Sequence, residues 1–289
     1  MASARAWTRP RFSPGEVVAL PSQPYLHAGS RGCGFPEELN PAQMLTQTFK
    51  KLVPYGAKLK LREWVLTQYR IPYSRFDVPA PLVARFRGRP PITLIDIGAS
   101  NGIFCGELDK FVGVRRGLLV EPIPARCEEL RDRFPAGAFE IACAAVGSEE
   151  SSLEMEILNS DTSSSLLPVD RTNGNVSAMI DLTVRERIRT RVARLDALCE
   201  ERHFRDEVDL LKIDVQGAEH LVLAGAPETL KRTRAIWVEV SFRTFYRGGV
   251  LFGEVYELCR AAGFRLANMA EGFRGQDGEL IQSDALFVR

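Results

Sequence analysis

Residues 94–102 read LIDIGASNG, and the rest of the chain is organised around this stretch. An apolar run from Ile92 to Ile97 contains one carboxylate, Asp96, and ends at a turn bounded by Gly98 and Gly102. The pattern predicts a buried strand, a tight turn and a helix whose N-terminus faces a ligand, the opening unit of a nucleotide-binding α/β sheet. Apolar residues recur at helical spacing beyond the turn, at Ile103, Phe104, Leu108, Phe111 and Val112.

The composition is that of an ordinary globular protein. The chain has 289 residues, of which 45% are hydrophobic and 26% charged, and its net charge is +1. A nearly neutral chain gives no electrostatic support for nucleic-acid binding. No apolar stretch approaches the roughly 18 residues of a membrane-spanning helix, and the N-terminus lacks the apolar segment of a signal peptide. We therefore expect a cytoplasmic protein with neither a nucleic-acid nor a membrane partner.

The six cysteines are scattered along the chain, with no C-x-x-C pair and no histidine at zinc-ligand spacing. A chain of this length does not need a disulfide framework to fold. We therefore expect free, mostly buried thiols in a reducing compartment, at Cys33, Cys105, Cys127, Cys143, Cys199 and Cys259.

Three segments differ in their sequence pattern. Residues 1–40 are rich in Pro, Gly, Ser and Arg and predict a flexible arm, whereas residues 41–90 carry apolar residues at helical spacing and predict a helical extension. Residues 91–289 predict the ligand-binding domain, a seven-stranded, mostly parallel, doubly wound α/β sheet. The predicted strands are 92–97, 117–121, 139–146 with an extension at 153–157, 208–214, 235–240, 264–269 and 285–288, and the main later helices are 218–231 and 252–262.

The glycine spacing separates two candidate ligands of the opening unit. A dinucleotide needs G-x-G-x-x-G, but Ser100 stands at the place of the middle glycine. S-adenosylmethionine has no phosphate and needs a close backbone turn and an acid for its ribose. Glu121, at the end of the second strand, can accept hydrogen bonds from both ribose hydroxyls, and Asp96 can order the loop or meet the ammonium group. The pattern favours S-adenosylmethionine over a dinucleotide or a purely structural turn.

A second motif, LLKIDVQGAE at residues 210–219, ends a later strand and begins a helix. Together with LIDIGASNG, LVEP, SSSLL, RLDAL, WVEVSF and SDALFV, it resembles the FkbM family of S-adenosylmethionine-dependent methyltransferases. The resemblance runs from about residue 50 to the C-terminus. The family more often has Glu at the position of Gln216, and this departure leaves the role of that side chain open.

The resemblance implies a class I methyltransferase fold, which is Rossmann-like, and O-methylation of a sugar or natural-product hydroxyl. It also implies a cofactor site, in which the turn from Gly98 to Gly102 would hold the methionine end and Glu121 the ribose. This turn includes Ala99, Ser100 and Asn101. The residues that would flank the adenine or lie near the cofactor are Pro122, Ile123, Ala145 and Ser165.

Methyl transfer to an alcohol needs an aligned nucleophile and removal of its proton. Asp214 ends the strand of the second motif, so it is the candidate base, or the group that positions one; it can instead cap the next helix. Glu239 would lie beside Asp214 if their strands are neighbours. Two adjacent carboxylates share a proton or hold a divalent cation such as Mg²⁺, and the sequence does not choose. His220 is a second candidate base or a surface histidine.

Two sets of side chains are candidates for contacts with the acceptor, which we expect to be a small molecule. Arg243, Tyr246 and Arg247 follow the fifth strand and would lie over the same sheet edge, unless they belong to an ordinary surface loop. Four arginines share one parity, so an extended chain would place them on one face. There they would bind an anionic group or form a charged edge strand. They are Arg185, Arg187, Arg189 and Arg191.

The sequence therefore predicts an S-adenosylmethionine-dependent O-methyltransferase acting on a hydroxyl of a sugar or glycosylated natural product. Methylation of a carboxylate or phenol is an alternative that needs little or no base. A cofactor-binding protein without catalysis and a dinucleotide-dependent oxidoreductase are the alternatives from other classes. The oligomeric state stays open.

Overall fold

The computed structural model describes residues 80–289, with the exception of 135, 160–163, 172–180, 182 and 276–277. The predictions for the arm at 1–40 and for residues 41–79 of the helical extension lie outside the described residues. The elements are α1 (Ala80–Phe86), β1 (Ile92–Ile97), α2 (Ile103–Val112), β2 (Val114–Glu121), α3 (Pro124–Arg133), β3 (Phe139–Cys143), β4 (Ala145–Val146), β5 (Ser151–Leu158), β6 (Val184–Ala193), α4 (Leu195–Glu201), β7 (Leu210–Ile213), α5 (Glu219–Ala224), α6 (Pro227–Lys231), β8 (Ala235–Ser241), α7 (Phe252–Ala261), β9 (Arg265–Met269), β10 (Phe273–Arg274) and β11 (Leu280–Val288).

The central sheet has the strand order β10-β11-β8-β7-β1-β2-β3, and β9 pairs with the other half of β11. Strands β3, β2, β1, β7 and β8 are parallel, whereas β11 runs antiparallel to β8, β9 and β10. The predicted α/β class and mostly parallel sheet are confirmed. The sheet has eight strands rather than seven, because the segment before β11 forms two short strands that pair with successive parts of β11.

A smaller sheet of order β4-β6-β5 was not predicted as a separate unit. The predicted strand 139–146 divides at Ala144, whose N–H donates to the carbonyl oxygen of Glu121 at 3.1 Å. Beyond this point β4 leaves the central sheet and pairs with β6. The alternation at 153–157 does form a strand, β5, but β5 pairs with β6 in the small sheet and does not extend the strand at 139–146. The four arginines do lie on one extended strand, β6.

Carboxylates of the protein bind several of those arginines. Arg187 contacts Glu156 on the neighbouring strand at 2.9 Å, and Arg191 contacts Glu201 on α4 at 2.8 Å. These guanidinium charges are therefore balanced within the fold, and both side chains are largely exposed.

Both faces of the central sheet are covered, as in a doubly wound fold. All six residues of β1 are buried, and separate apolar clusters lie on the two sides of the sheet. The predicted helix at 218–231 is two short helices, because Gly225 ends α5 and Pro227 begins α6. Among the described residues, no helix is long and apolar enough to span a bilayer.

One expectation about the cysteines is wrong. Cys127 on α3 and Cys143 at the end of β3 form a disulfide, with their Cα atoms 5.9 Å apart. The two cysteines are 16 residues apart, so their spacing in the sequence did not indicate a pair. They meet because the chain reverses and α3 packs beside β3. Cys105, Cys199 and Cys259 are free and buried, as expected.

Candidate active site

A cavity of about 540 Å³ opens at the carboxyl ends of β1, β2 and β7. Ligands of open α/β sheets bind at this edge. Nine of the predicted cofactor residues line it, namely Gly98, Ala99, Ser100, Asn101, Glu121, Pro122, Ile123, Ala145 and Ser165. Asp96 and Gly102 are not among the lining residues, because Asp96 is buried below the turn and Gly102 packs against α3.

Gly98 allows the turn after β1 to approach the end of β7. Its φ is +76°, and a Cβ atom there would lie 1.8 Å from the carbonyl oxygen of Asp214. No side chain fits between these two backbone segments. The glycine therefore brings the turn and the candidate base to the same edge of the cavity.

The carboxylate of Glu121 is held by the backbone at the end of β2. One oxygen accepts from the N–H of Ser100 at 2.8 Å and the other from the N–H of Ile123 at 3.0 Å. Burial raises the pKa of Glu121, and these two hydrogen bonds oppose the rise. Each oxygen keeps a further lone pair, so the group can accept from ligand hydroxyls in the cavity.

Lys212 is a functional candidate that the sequence analysis missed. Its ammonium donates to the carbonyl oxygen of Gly98 at 2.9 Å and lies 3.2 Å from Asp96 and 3.4 Å from Asp214. Burial lowers the pKa of Lys212, but the two carboxylates outweigh burial and leave the pKa above its usual value. The signal in the sequence was a single lysine within the apolar strand β7. The parallel register of β1 and β7 places this lysine opposite Asp96.

Asp214, Gln216, Glu239 and Tyr246 form a network that we call the carboxylate cluster. The amide nitrogen of Gln216 donates to Asp214 and to Glu239, at 2.9 Å each. The hydroxyl of Tyr246 donates to the amide oxygen of Gln216 at 3.3 Å. Strands β7 and β8 are neighbours, as the prediction for Glu239 required. Asp214 and Gln216 line the cavity, whereas Glu239 and Tyr246 lie behind them.

Burial also changes the acid strength of the groups in and behind this cluster. The pKa of Glu239 is raised well above its usual value by burial and then by the charge of Asp214. Burial raises the pKa of Glu219 to about 7, and burial likewise raises the pKa of the Tyr246 phenol.

The carboxylate cluster does not fit a divalent cation. One oxygen of Asp214 and one of Glu239 already accept from the amide of Gln216, and the other oxygen of Asp214 faces Lys212. The amide N–H groups lie between the two carboxylates, where a bridging cation would be bound, and the ammonium of Lys212 adds a positive charge beside Asp214. Within the described part of the chain, no three Asp, Glu, His or Cys side chains converge as a metal site. The suggested role of Asp214 and Glu239 as Mg²⁺ ligands is therefore not supported.

The remaining predicted residues lie around the cluster. His220 is on α5 outside the cavity, and burial lowers its pKa. Arg243 forms an ion pair with Glu279, and Arg247 is exposed, with its backbone N–H bonded to the carbonyl oxygen of Pro168. Neither arginine lines the cavity, so neither contacts its surface in this arrangement.

The apolar wall of the cavity was also missed. Phe104, Met155 and Leu166 line it together with Ile123. Met155 belongs to the alternating segment that predicted β5, but its face could not be assigned to the cavity before the small sheet was known. These side chains offer an apolar surface near Glu121, which suits a purine next to a ribose.

Cavity and fold together define a class of protein. The close backbone turn, the carboxylate of Glu121 and the apolar wall fit S-adenosylmethionine, which supplies an electrophilic methyl group on a sulfonium when bound. The protein is an S-adenosylmethionine-dependent methyltransferase of the class I fold. More narrowly, residues 96–266 match the Methyltransferase FkbM domain, and the chain belongs to that family.

A curated relative is the 2-O-methyltransferase NoeI of Sinorhizobium fredii (strain NBRC 101917 / NGR234). It is 26% identical over 232 residues, which cover 77% of this chain and 90% of NoeI.

Two solved structures are similar at low identity. Methyltransferase FkbM from Methylobacillus flagellatus KT has a TM-score of 0.42 and 12% identity, and the match covers 69% of this chain and 44% of that chain. Aeropyrum pernix fibrillarin with natively bound S-adenosyl-L-methionine has a TM-score of 0.40 and 12% identity, covering 69% of this chain and 67% of that chain.

Proposed function

We propose that the protein transfers the methyl group of S-adenosylmethionine to a hydroxyl oxygen of a sugar or of a glycosylated small molecule, and that Asp214 is the general base. One observation carries the proposal: Asp214 lines the cavity beside the glycine turn, and its side chain is 36% exposed. NoeI is a 2-O-methyltransferase, which supports oxygen as the acceptor atom here.

In the proposed reaction, the residues of the cavity have separate roles in binding, orientation and proton transfer. The turn from Gly98 to Asn101 and the carboxylate of Glu121 bind and orient the cofactor. Asp214, whose side chain is 36% exposed, would accept the proton of the acceptor hydroxyl as its oxygen–carbon bond forms and the carbon–sulfur bond of the donor breaks, with S-adenosylhomocysteine as the leaving group. Lys212 holds Asp214 and the carbonyl of Gly98 in fixed relation. Alignment of the acceptor oxygen at about 3 Å from the methyl carbon supplies a further large part of the rate enhancement.

The cofactor is tested by thermal unfolding of the full chain. A ligand at 100 times its dissociation constant stabilises a protein by about 2.7 kcal/mol. S-adenosylhomocysteine is therefore expected to raise the Tm, and NAD is expected to leave it unchanged. Stabilisation by NAD alone would contradict the proposal.

The reaction is tested with labelled S-adenosylmethionine and two acceptor panels, one of sugars and glycosides and one of carboxylic acids and phenols. We expect label in the first panel and a loss of about 10²- to 10⁴-fold in kcat for Asp214→Asn, because a weakly acidic alcohol needs a base. Affinity for S-adenosylhomocysteine should change little. Label only in the second panel, with Asp214→Asn nearly as active as the wild type, would replace the proposal with carboxyl or phenol methylation.

A further inference from the structure

The amide of Gln216 joins the two carboxylates that the proposed reaction depends on. Its nitrogen carries two N–H groups, and each has a carboxylate oxygen at 2.9 Å, one on Asp214 and one on Glu239. A carboxylate in place of the amide would have no proton to offer either neighbour. The amide therefore supplies two donors in this chain, which the carboxylate of a glutamate could not supply.

The backbone holds this amide in place at a conformational cost. Gln216 has a φ of +57°, a left-handed conformation that side-chain-bearing residues other than Asn, Asp and His adopt rarely. Such a residue persists only where its surroundings fix it. Here Glu219, which is buried, accepts from the N–H groups of Val215 and Gly217 on either side, at 3.2 and 3.0 Å.

Tyr246 fixes the other end of the amide. Its hydroxyl donates to the amide oxygen at 3.3 Å, and its ring packs on Gly217, where a Cβ atom would lie 2.8 Å from the ring. With its oxygen engaged by a donor, the amide presents its nitrogen to the two carboxylates. The left-handed backbone, the buried Glu219 and Tyr246 thus together fix one orientation of the Gln216 side chain.

We propose that Gln216 is a positioning residue, whose amide holds the carboxylate of Asp214 beside the cavity and bridges it to Glu239 by two N–H donors. The positioning of a base depends on the proposed function, whereas the bridge itself does not. The bridge occupies the side of the pair on which a cation would otherwise bind. The amide lies between the two carboxylates and separates them, and their remaining lone pairs can still accept hydrogen bonds.

The charged and titratable groups around the bridge come from several elements. They are Asp96 on β1, Lys212 on β7, Asp214 directly after β7, Glu219 on α5, Glu239 on β8, Asp284 on β11 and Tyr246 in the loop after β8. Acids predominate, so loss of the N–H donor to Glu239 should raise the pKa of Glu239 further. A carboxyl group whose pKa is higher in the folded than in the unfolded state costs stability as the pH rises.

The first experiment compares thermal unfolding of wild type, Gln216→Glu and Gln216→Met at pH 5 and pH 8. Both variants keep the approximate size of the side chain, but Met offers no donor and Glu adds a negative charge. We expect Gln216→Glu to lower the Tm by about 4 °C or more at pH 8 and by much less at pH 5, since one unit of pKa corresponds to a few degrees. Gln216→Met should show a smaller loss with the same dependence on pH.

Asn268→Asp is the matched control, because it makes the same amide-to-acid change at an exposed position on β9. Its Tm should follow the wild type at both pH values. Equal losses at pH 5 and pH 8 for both Gln216 variants would mean that the side chain only fills space, and the bridge would be refuted. Absence of any loss would refute it as well.

The second experiment measures labelled methyl transfer to the sugar and glycoside panel. We expect Gln216→Met to lower kcat at least tenfold and to leave the KM for S-adenosylmethionine within about threefold. An unchanged kcat would remove the positioning role. If no acceptor in that panel is methylated, the proposed function fails, and the unfolding experiment still decides whether the bridge exists.

Discussion

The two ends of the cavity are built from different parts of the chain. At the end that we propose binds the methyl donor, the donor end, the carboxylate of Glu121 accepts from the backbone N–H groups of Ile123, two residues away, and of Ser100, 21 residues away. At the end that we propose binds the acceptor, the acceptor end, side chains from the loop after β7, from β8 and from the loop after β8 meet at the amide of Gln216, and Glu239 and Tyr246 lie 23 and 30 residues from it. The first end is fixed by backbone turns, and the second by side-chain hydrogen bonds across neighbouring strands.

In the proposed function, this difference separates binding of the cofactor from selection of the acceptor. A backbone turn tolerates changes in its side chains as long as the glycine positions remain. A buried or half-buried group of acids depends on every donor, because one lost donor leaves a charge without its partner. We therefore expect substitutions at the donor end to change cofactor affinity, and substitutions at the acceptor end to change pH dependence and turnover.

Lys212→Met should have the largest effect, because Lys212 belongs to both ends. It contacts the carbonyl oxygen of Gly98 and the carboxylates of Asp96 and Asp214. Without it, the fully buried Asp96 keeps an uncompensated charge, and loss of one partner of a buried pair costs about 3–5 kcal/mol. Urea unfolding at pH 7.5 should measure a loss of this size.

The pH dependence of this variant follows from the sign of the shift. Burial already raises the pKa of Asp96, and Lys212 opposes the rise. In Lys212→Met the folded-state pKa therefore rises further, so the loss of stability grows with pH and shrinks on acidification. The double variant with Asp96→Asn should recover most of the stability. A double variant as unstable as Lys212→Met alone would show that packing of the lysine stem, and not charge, matters.

The sequence predicted the donor end well because spacing along the chain determines a turn. The glycines, Glu121 and the strands around them follow from local pattern, and the structure brings nine of the predicted residues to one cavity. The bridge at Gln216 depends on the register of β7 against β8 and on a left-handed backbone conformation, neither of which a local pattern specifies. The disulfide between Cys127 and Cys143 was missed for the same reason, since it needs the packing of α3 beside β3.

Gly98→Ala should have the second largest effect and tests whether the donor turn needs its close approach. Gly88 is a matched control, with a similar φ of +73° and no atom within 4 Å of an added Cβ. Gly88→Ala should cost about 1–2 kcal/mol, the cost of a left-handed conformation. Gly98→Ala should cost a further 1–3 kcal/mol or so, because its Cβ would overlap the carbonyl oxygen of Asp214.

Urea unfolding measures both losses, and S-adenosylhomocysteine measures the consequence for binding. The ligand should raise the Tm of Gly88→Ala as much as that of the wild type, and the Tm of Gly98→Ala much less. Equal responses of the two variants would mean that the approach of the turn to Asp214 is not needed to bind the cofactor.

Glu121→Gln should have the smallest effect on folding and a selective effect on the donor end. Both carboxylate oxygens accept backbone N–H bonds, so an amide must turn its NH₂ group toward one of these donors and lose that bond. One buried donor without an acceptor costs about 1–3 kcal/mol. If this whole cost falls on the turn that binds the cofactor, the affinity should decrease by about 5- to 150-fold.

Calorimetric titration with S-adenosylhomocysteine measures this change. The pH dependence of the affinity shows whether the negative charge of Glu121 or only the shape of its side chain matters for binding. Burial raises the pKa of Glu121, so the wild type should lose affinity on acidification before an ordinary glutamate would be protonated. Glu121→Gln has no such group and should bind with a weaker affinity that is flat over the same range. A wild-type affinity independent of pH, together with an unaffected Gln variant, would assign the ribose hydroxyls to a different acceptor and leave Glu121 as a support for the turn at Ser100.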